Sequence, residues 1–236
     1  MTRGSAWASA AVPSMSFLFS EFLPELEQIT RGRIAALKPD RAAQLVAGLI
    51  HDIRIIKSKR GDNFAIVTLD DRSDRMEATV YGDVYQAHRE LIRKDSIVVL
   101  EGVVSVDEYN GNGQLQMRVR RVLDLAQARL QYSRVLDLTL NRGRLSVESL
   151  PTLRRLLDPY RKPVPETADG TAPGGCDIVI HVELDDLQGS LHLGEDWRVL
   201  PEDGLLQALR ENFGNGSVKL GYGATQPPAR VRELQY

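Results

Sequence analysis

Gln44–Lys57 is a long run rich in Val and Ile, and its length and β-branching mark it as a strand. Strict alternation puts Leu45, Ala47, Leu49, His51, Ile53 and Ile55 on one face. Val46, Gly48, Ile50, Asp52, Arg54 and Ile56 fall on the other, where Gly48 suits a bulge or bend. Ser58–Asp62 is a turn, and Asn63–Asp70 alternates again. Asp71–Asp74 turns the chain into a third alternating run, Arg75–Tyr81. One helical pattern then intervenes, with Val84, Ala87, His88, Leu91 and Ile92 on a single stripe and Asp95 ending it. Ser96–Asp107, with Gly102 in its middle, and Gln114–Leu123 are two more strands, joined by a hairpin loop holding Asn110-Gly111-Asn112-Gly113.

Strand, strand, strand, helix, strand, strand, with glycine in the first and fourth strands, is the order of a five-stranded Greek-key barrel of the OB type. A meander sandwich has no need of a helix at that point. The expected class is mainly β plus α+β: an OB barrel followed by a small α+β domain. Upstream, Phe19, Phe22, Leu23, Leu26 and Ile29 have near-helical spacing, and Pro24 is expected to bar a helix much before Leu23. Downstream, Asp124–Ser133 reads as a helix and Val135–Leu140 as a strand. Ser146–Pro159 reads as a helix with Ser146 as N-cap and Leu150, Leu153, Leu156 and Leu157 as its stripe. Lys162–Gly175 is a loop, Cys176–Leu184 and Ser190–Leu193 form a hairpin, and Trp197–Leu200 is a third strand. A helix opens at Pro201 and runs to Phe213, and Ser217–Tyr222 is the last strand, giving a βαβββαβ-like unit. The expected domains are 1–40 as tail and connector with a short helix, 41–134 as the barrel, 135–222 as the α+β unit and 223–236 as a flexible tail.

Thirty Lys and Arg against 32 Asp and Glu rule out a polybasic chain that coats nucleic acid by bulk charge. The balance is local: residues 41–123 hold 13 basic against 12 acidic side chains, and residues 141–236 hold 11 against 14. The two halves therefore suit different partners. One cysteine, Cys176, leaves no intramolecular disulfide and fits a reducing, cytoplasmic setting. No apolar run is long enough for a membrane helix. Thr2–Ser14 reads as a disordered tail, with Met15 as an alternative start.

The sequence carries no catalytic motif of the common classes. No phosphate-binding glycine loop, metalloprotease helix or nucleophile elbow occurs. His51 and His88 are isolated; His181 and His192 lie on neighbouring expected strands without a third ligand, so no metal and no cofactor are expected. Asp70-Asp71 and Asp185-Asp186 resemble the paired carboxylates of a metal-dependent nuclease. Adjacent strand residues point to opposite faces, however, and Asp at a strand end ordinarily bonds turn backbone.

The outward residues of the expected barrel point to a binding groove. On an OB barrel, strands two and three carry the ligand face. The outward residues there are Phe64, Ile66 and Thr68, then Glu77, Thr79 and Tyr81. Lys57, Lys59 and Arg60 cluster at the first hairpin, Arg75 opens strand three, Tyr109 tips the last hairpin, and Arg118 and Arg120 project beside it. Rings stack on bases and cations neutralise phosphates, so Lys57, Lys59, Arg60, Phe64, Thr68, Arg75, Tyr81, Tyr109, Arg118 and Arg120 are the candidate contacts to single-stranded nucleic acid. Glu77 on the same face works against tight binding. In the second domain Trp197, Leu205, Leu206, Leu209 and Phe213 are expected in the core, with Glu195-Asp196 and Glu202-Asp203 as a polar rim.

Several words of the sequence together carry a resemblance: Val46–Gly48, Lys59-Arg60-Gly61, Val67-Thr68-Leu69-Asp70-Asp71-Arg72-Ser73, Met76-Glu77-Ala78-Thr79-Val80-Tyr81, Gly102-Val103-Val104-Ser105, Leu123–Arg129, and Trp197-Arg198-Val199 followed by Pro201 to Arg210. From about Ile34 to Leu220 the chain resembles the OB region and terminal domain of the alpha subunit of bacterial replicative DNA polymerase III. The resemblance implies template single-stranded DNA on the barrel and the tau subunit of the clamp loader, with other replisome proteins, on the terminal domain. In that family the polymerase core and its metal-binding carboxylates lie upstream, so this chain alone is not expected to extend a primer. Asp74 stands where the family usually has Gly, with strain or a lengthened hairpin expected there. Phe17–Leu23 replaces a family "TGHP" word, as a truncation, a frame disruption or a misassigned start would do. The competing reading is an anticodon- or RNA-binding OB protein of another family.

Overall fold

The computed structural model describes residues 15–30, 32–57, 63–107, 113–143, 145–161, 175–184 and 188–222. The chain divides into two compact units, 1–122 and 123–236.

In the first unit, β1 (Asp40–Lys57), β2 (Asn63–Asp70), β3 (Arg75–Val80), β4 (Ile97–Val106) and β5 (Leu115–Leu123) form a closed barrel in the order β1-β2-β3-β5-β4. The length of β1 closes it. Its first half pairs antiparallel with β4 and its second half with β2, while β3 and β5 run parallel. Between β3 and β4 lies the helix α2 (Gly82–His88). This is the OB order that the sequence pattern implies.

The interior is filled by alternate residues: Ala65, Val67 and Leu69 from β2, Met76, Ala78 and Val80 from β3, and Met117 and Val119 from β5. Strict alternation fails in β1. The register with β2 shifts between Ile50 and Asp52, so Val46 and Ile50 point inward, and Ile53 packs against the core from the other parity. The bulge therefore lies at His51 and not at Gly48. Gly48 answers to a different constraint: a Cβ there would sit 2.7 Å from the Leu69 Cγ and 2.9 Å from the Asp70 carbonyl oxygen. Gly102 is tighter still, with a Cβ falling 2.3 Å from the Arg118 carbonyl oxygen where β4 closes on β5.

Ahead of the barrel, α1 (Met15–Thr30) packs against β1. It runs straight through Pro24, contrary to the expectation that helix cannot form before Leu23. Phe19, Leu26 and Ile29 are buried. At about 1.5–3 kcal/mol for each large apolar side chain, that burial offsets the ladder bond that proline cannot make.

The second unit begins with α3 (Leu125–Tyr132), capped by a reciprocal Asp124–Gln127 box. A four-stranded sheet follows, built from β6 (Val135–Asn141), β7 (Asp177–Glu183), β8 (Gln188–His192) and β9 (Val218–Gly221) in the order β8-β7-β6-β9. Helices α4 (Ser149–Leu157) and α5 (Asp203–Phe213) bury Leu153, Leu157, Leu205, Leu206, Leu209 and Phe213 with Leu136, Leu138, Leu140, Ile178 and Ile180 of the sheet. The unit is thus βαββαβ, one strand fewer than expected. Glu195–Trp197 is a single 3-10 turn, and Val199 makes only an isolated bridge to Cys176. The Arg161 guanidinium lies 4.0 Å over the Trp197 ring, which is partly buried against the core. Helix α4 starts at Ser149, and Ser146 is not its cap; its backbone N–H donates to the Ser149 hydroxyl at 2.9 Å. The buried face therefore runs through Ser149, Leu153 and Leu157, and Leu150 is exposed. Cys176 is buried and donates to the Ser133 hydroxyl, and desolvation pushes its thiol up to about 11. No helix among the described residues is long and apolar enough to cross a membrane.

Candidate nucleic-acid interface

The barrel's outward residues line up across its strands. Cα partners place Arg54, Ile66, Thr79 and Arg118 in one row over β1, β2, β3 and β5. Asp52, Thr68, Glu77 and Gln116 form the next row. On the other side, Ile56 faces Phe64 across the first hairpin, and Tyr81 follows β3 directly. Three registers thus build one continuous face that grades from acidic at the Asp52–Glu77 end to apolar and cationic at the Ile56–Tyr81 end.

At the apolar end the rings of Phe64 and Tyr81 stack with centroids 5.7 Å apart and planes 25° from parallel. The Arg118 guanidinium lies 5.2 Å from the Tyr81 ring centroid. Tyr81 is 48% exposed and Phe64 is half-buried, so the pair is not sealed beneath a helix. The local backbone explains the position of Tyr81. It is the residue where β3 hands over to α2, and its carbonyl accepts the Tyr85 N–H at 2.9 Å. A planar surface with a cation over it presents a π-face and a phosphate-neutralising group together.

The charges are unevenly free. Glu77 accepts a hydrogen bond from Arg54 across β2, so these two exposed groups neutralise each other on the face. Arg75 donates Nε–H to Asp70 Oδ2 at 2.7 Å, which ties it to the β2–β3 turn. Burial raises the Asp70 pKa, but the Arg75 side-chain hydrogen bond, the Arg72 N–H and the charges of Arg75 and His51 outweigh it, leaving the carboxyl below its ordinary value. Lys57, Arg118 and Arg120 are exposed, and none is held by a carboxylate among the described residues. Thr68 is half-buried beside Glu77. Lys59, Arg60 and Tyr109 lie outside the described residues, as do Asp185 and Asp186.

Asp71 has a role that sequence reasoning missed. It is 3% exposed. Its Oδ1 accepts the Ser73 N–H at 2.9 Å, the Ser73 hydroxyl at 2.6 Å and the Asp74 N–H at 3.1 Å. Its Oδ2 accepts the backbone N–H of buried Ile34 at 2.7 Å, and the Ser73 hydroxyl accepts the Ala35 N–H at 3.1 Å. The Asp71–Ser73 word is thus a clamp that holds the connector against the β2–β3 turn. Asp74 causes no strain there; the left-handed residue is Arg72, at φ 69. In the second unit His181 does not turn to His192. It bonds Asp137 Oδ1 through Nε2 and the Ser190 hydroxyl through Nδ1, each at 2.8 Å.

A closed five-stranded barrel with this strand order is an OB fold. Residues 45–125 match the family described as "OB-fold nucleic acid binding domain". Residues 169–214 match "DNA polymerase III subunit alpha, C-terminal domain". Over these stretches the chain is similar to DNA polymerase III subunit alpha. It is 38% identical over 202 residues to that protein from Pseudomonas aeruginosa and 32% identical over 206 residues to that from Escherichia coli K12. Both comparisons cover 86% of this chain but only 16% and 17% of those proteins, so the chain spans about a sixth of their length. Among solved structures, the SSB domain of a Synechococcus protein is 18% identical, covering 36% of this chain and 98% of that one with a TM-score of 0.31, too slight a likeness to bear on function.

Proposed function

We propose that the barrel binds single-stranded DNA, with Phe64 and Tyr81 as the stacking platform and Lys57, Arg118 and Arg120 on the phosphates. Thr68 and Arg75 flank the path. One observation carries the reading: a half-exposed pair of stacked rings with a cation over one of them, on the outward side of β2, β3 and β5. The second unit, matching the C-terminal domain of a replicative polymerase subunit, serves as a protein-interaction module in DNA replication, with the clamp-loader tau subunit and other replisome proteins as partners.

The test is fluorescence anisotropy with one oligonucleotide as single-stranded DNA, duplex DNA and single-stranded RNA. Tight binding of the single-stranded DNA alone is expected. Preference for the RNA hands the site to the RNA-binding reading, and preference for the duplex removes the stacking account. Co-elution of the chain with purified tau subunit tests the second unit.

A further inference from the structure

The second sheet has two edges, and they differ. Edge β9 is four residues long and carries Lys219. Edge β8, Gln188–His192, is exposed at every residue and contains no proline, lysine or arginine. Charge, proline and brevity are the usual devices that keep a strand edge from pairing with another chain. β8 lacks the first two and spans the full five-residue register with β7.

The direction of its free backbone groups follows from one bond. Leu193 N–H donates to the Ile178 carbonyl at 3.0 Å. Antiparallel ladders alternate every second residue, so Leu191 and Gly189 bond inward to β7. The N–H and C=O groups of Gln188, Ser190 and His192 face away from the sheet. Beside them is a shallow hollow of about 230 Å³ lined by His181, Val182, Glu183, Gln188, Gly189 and Ser190. Gly189 contributes no side chain to that hollow, and the exposed Glu183 supplies its carboxylate. Leu191 is 54% exposed on the strand itself. Glu195 and Asp196, both exposed, come after Leu193 and Gly194 at the end of β8.

From these features we infer that β8 is a docking edge for an extended, basic segment of a partner protein, which adds a fifth strand to the sheet. Backbone bonds to Gln188, Ser190 and His192 supply affinity. A lysine or arginine beside Glu183 and an aliphatic residue against Leu191 supply selectivity. The inference rests on the reading of the second unit as a protein-interaction module and assigns that module its surface.

The probe is a labelled peptide of alternating lysine and valine, titrated into the full chain, with the same peptide carrying glutamate for lysine as control. Binding of the basic peptide alone is expected, with slowed hydrogen exchange at the Gln188, Ser190 and His192 amides. His192→Pro removes one outward N–H and leaves every ladder bond and carboxylate in place, so it is expected to weaken binding about tenfold, as loss of a backbone bond at an ordered edge does. Glu183→Lys is expected to weaken it by a similar factor and covers the case where the proline variant fails a circular dichroism check. Peptide binding without protection on β8, or unchanged affinity in both variants, overturns the edge assignment. Tau that binds wild type and both variants equally also overturns it as the partner's site while leaving the interaction reading standing. A chain that takes the peptide on β8 but does not bind tau supports the edge and removes tau from the proposed function.

Discussion

Replacing Asp71 by alanine isolates the clamp between the connector and the barrel. The carboxylate accepts four hydrogen bonds, and one of them satisfies the N–H of Ile34, a residue 3% exposed. A buried donor left without a partner costs about 1–3 kcal/mol. The three turn bonds are nearer to solvent, and water recovers much of them, adding roughly 1 kcal/mol. Asp71→Ala is therefore expected to destabilise the first unit by about 2–4 kcal/mol, lowering its thermal midpoint by roughly 10–20 °C. Asp71→Asn keeps one carbonyl oxygen, which serves either Ile34 or the turn but not both, and falls between alanine and wild type. Urea unfolding followed by circular dichroism reads the difference as a lower midpoint at unchanged slope. An alanine variant within about 0.5 kcal/mol of wild type refutes the clamp, because the Ile34 N–H then finds a partner without Asp71.

Other consequences follow from single contacts. Glu77→Gln releases Arg54 from its partner on the outward face, so single-stranded DNA affinity rises and the salt dependence steepens by about one phosphate contact, read by anisotropy over a salt series. Gly102→Ala forces a Cβ to within 2.3 Å of the Arg118 carbonyl oxygen and is expected to cost about 3 kcal/mol or more, read by urea unfolding. Cys176, with its thiol pushed up to about 11, resists alkylation at pH 8 until the second unit unfolds. That burial favours folding fully below the ordinary thiol value of 9.0, and the benefit is lost as pH rises towards 11.

The sequence made β2 and β3 legible because each is buried on one side only, so alternation assigns every residue from Phe64 to Tyr81 to a face. The same rule failed in β1. A bulge shifts parity without any marker in residue type, and Ile53 moved to the core side while Ile55 and Ile56 stayed exposed. Trp197–Leu200 carries strand-forming residues, yet a 3-10 turn ending at Trp197 takes its first residue, and only Val199 pairs, in an isolated bridge to Cys176. Asp70-Asp71 was recognisable as turn chemistry. The capture of the Ile34 N–H by Asp71 was not, since it depends on where a distant connector lands. The Arg54–Glu77 pair spans β1 and β3 across β2, so it becomes visible only once two registers are known. The stack of Phe64 on Tyr81 is of the same kind: the faces were predictable, but the closeness of the two rings was not.

The stacked rings of Phe64 and Tyr81 are the feature on which the proposed DNA binding depends. With a single-stranded DNA oligonucleotide, Tyr81→Ala is expected to raise the dissociation constant roughly 5- to 150-fold, the worth of one stacked base, with the salt slope unchanged. Arg118→Ala is expected to lower the slope by about one. Wild-type affinity in the Tyr81 variant, with the fold intact by circular dichroism, contradicts a nucleic-acid site on this face.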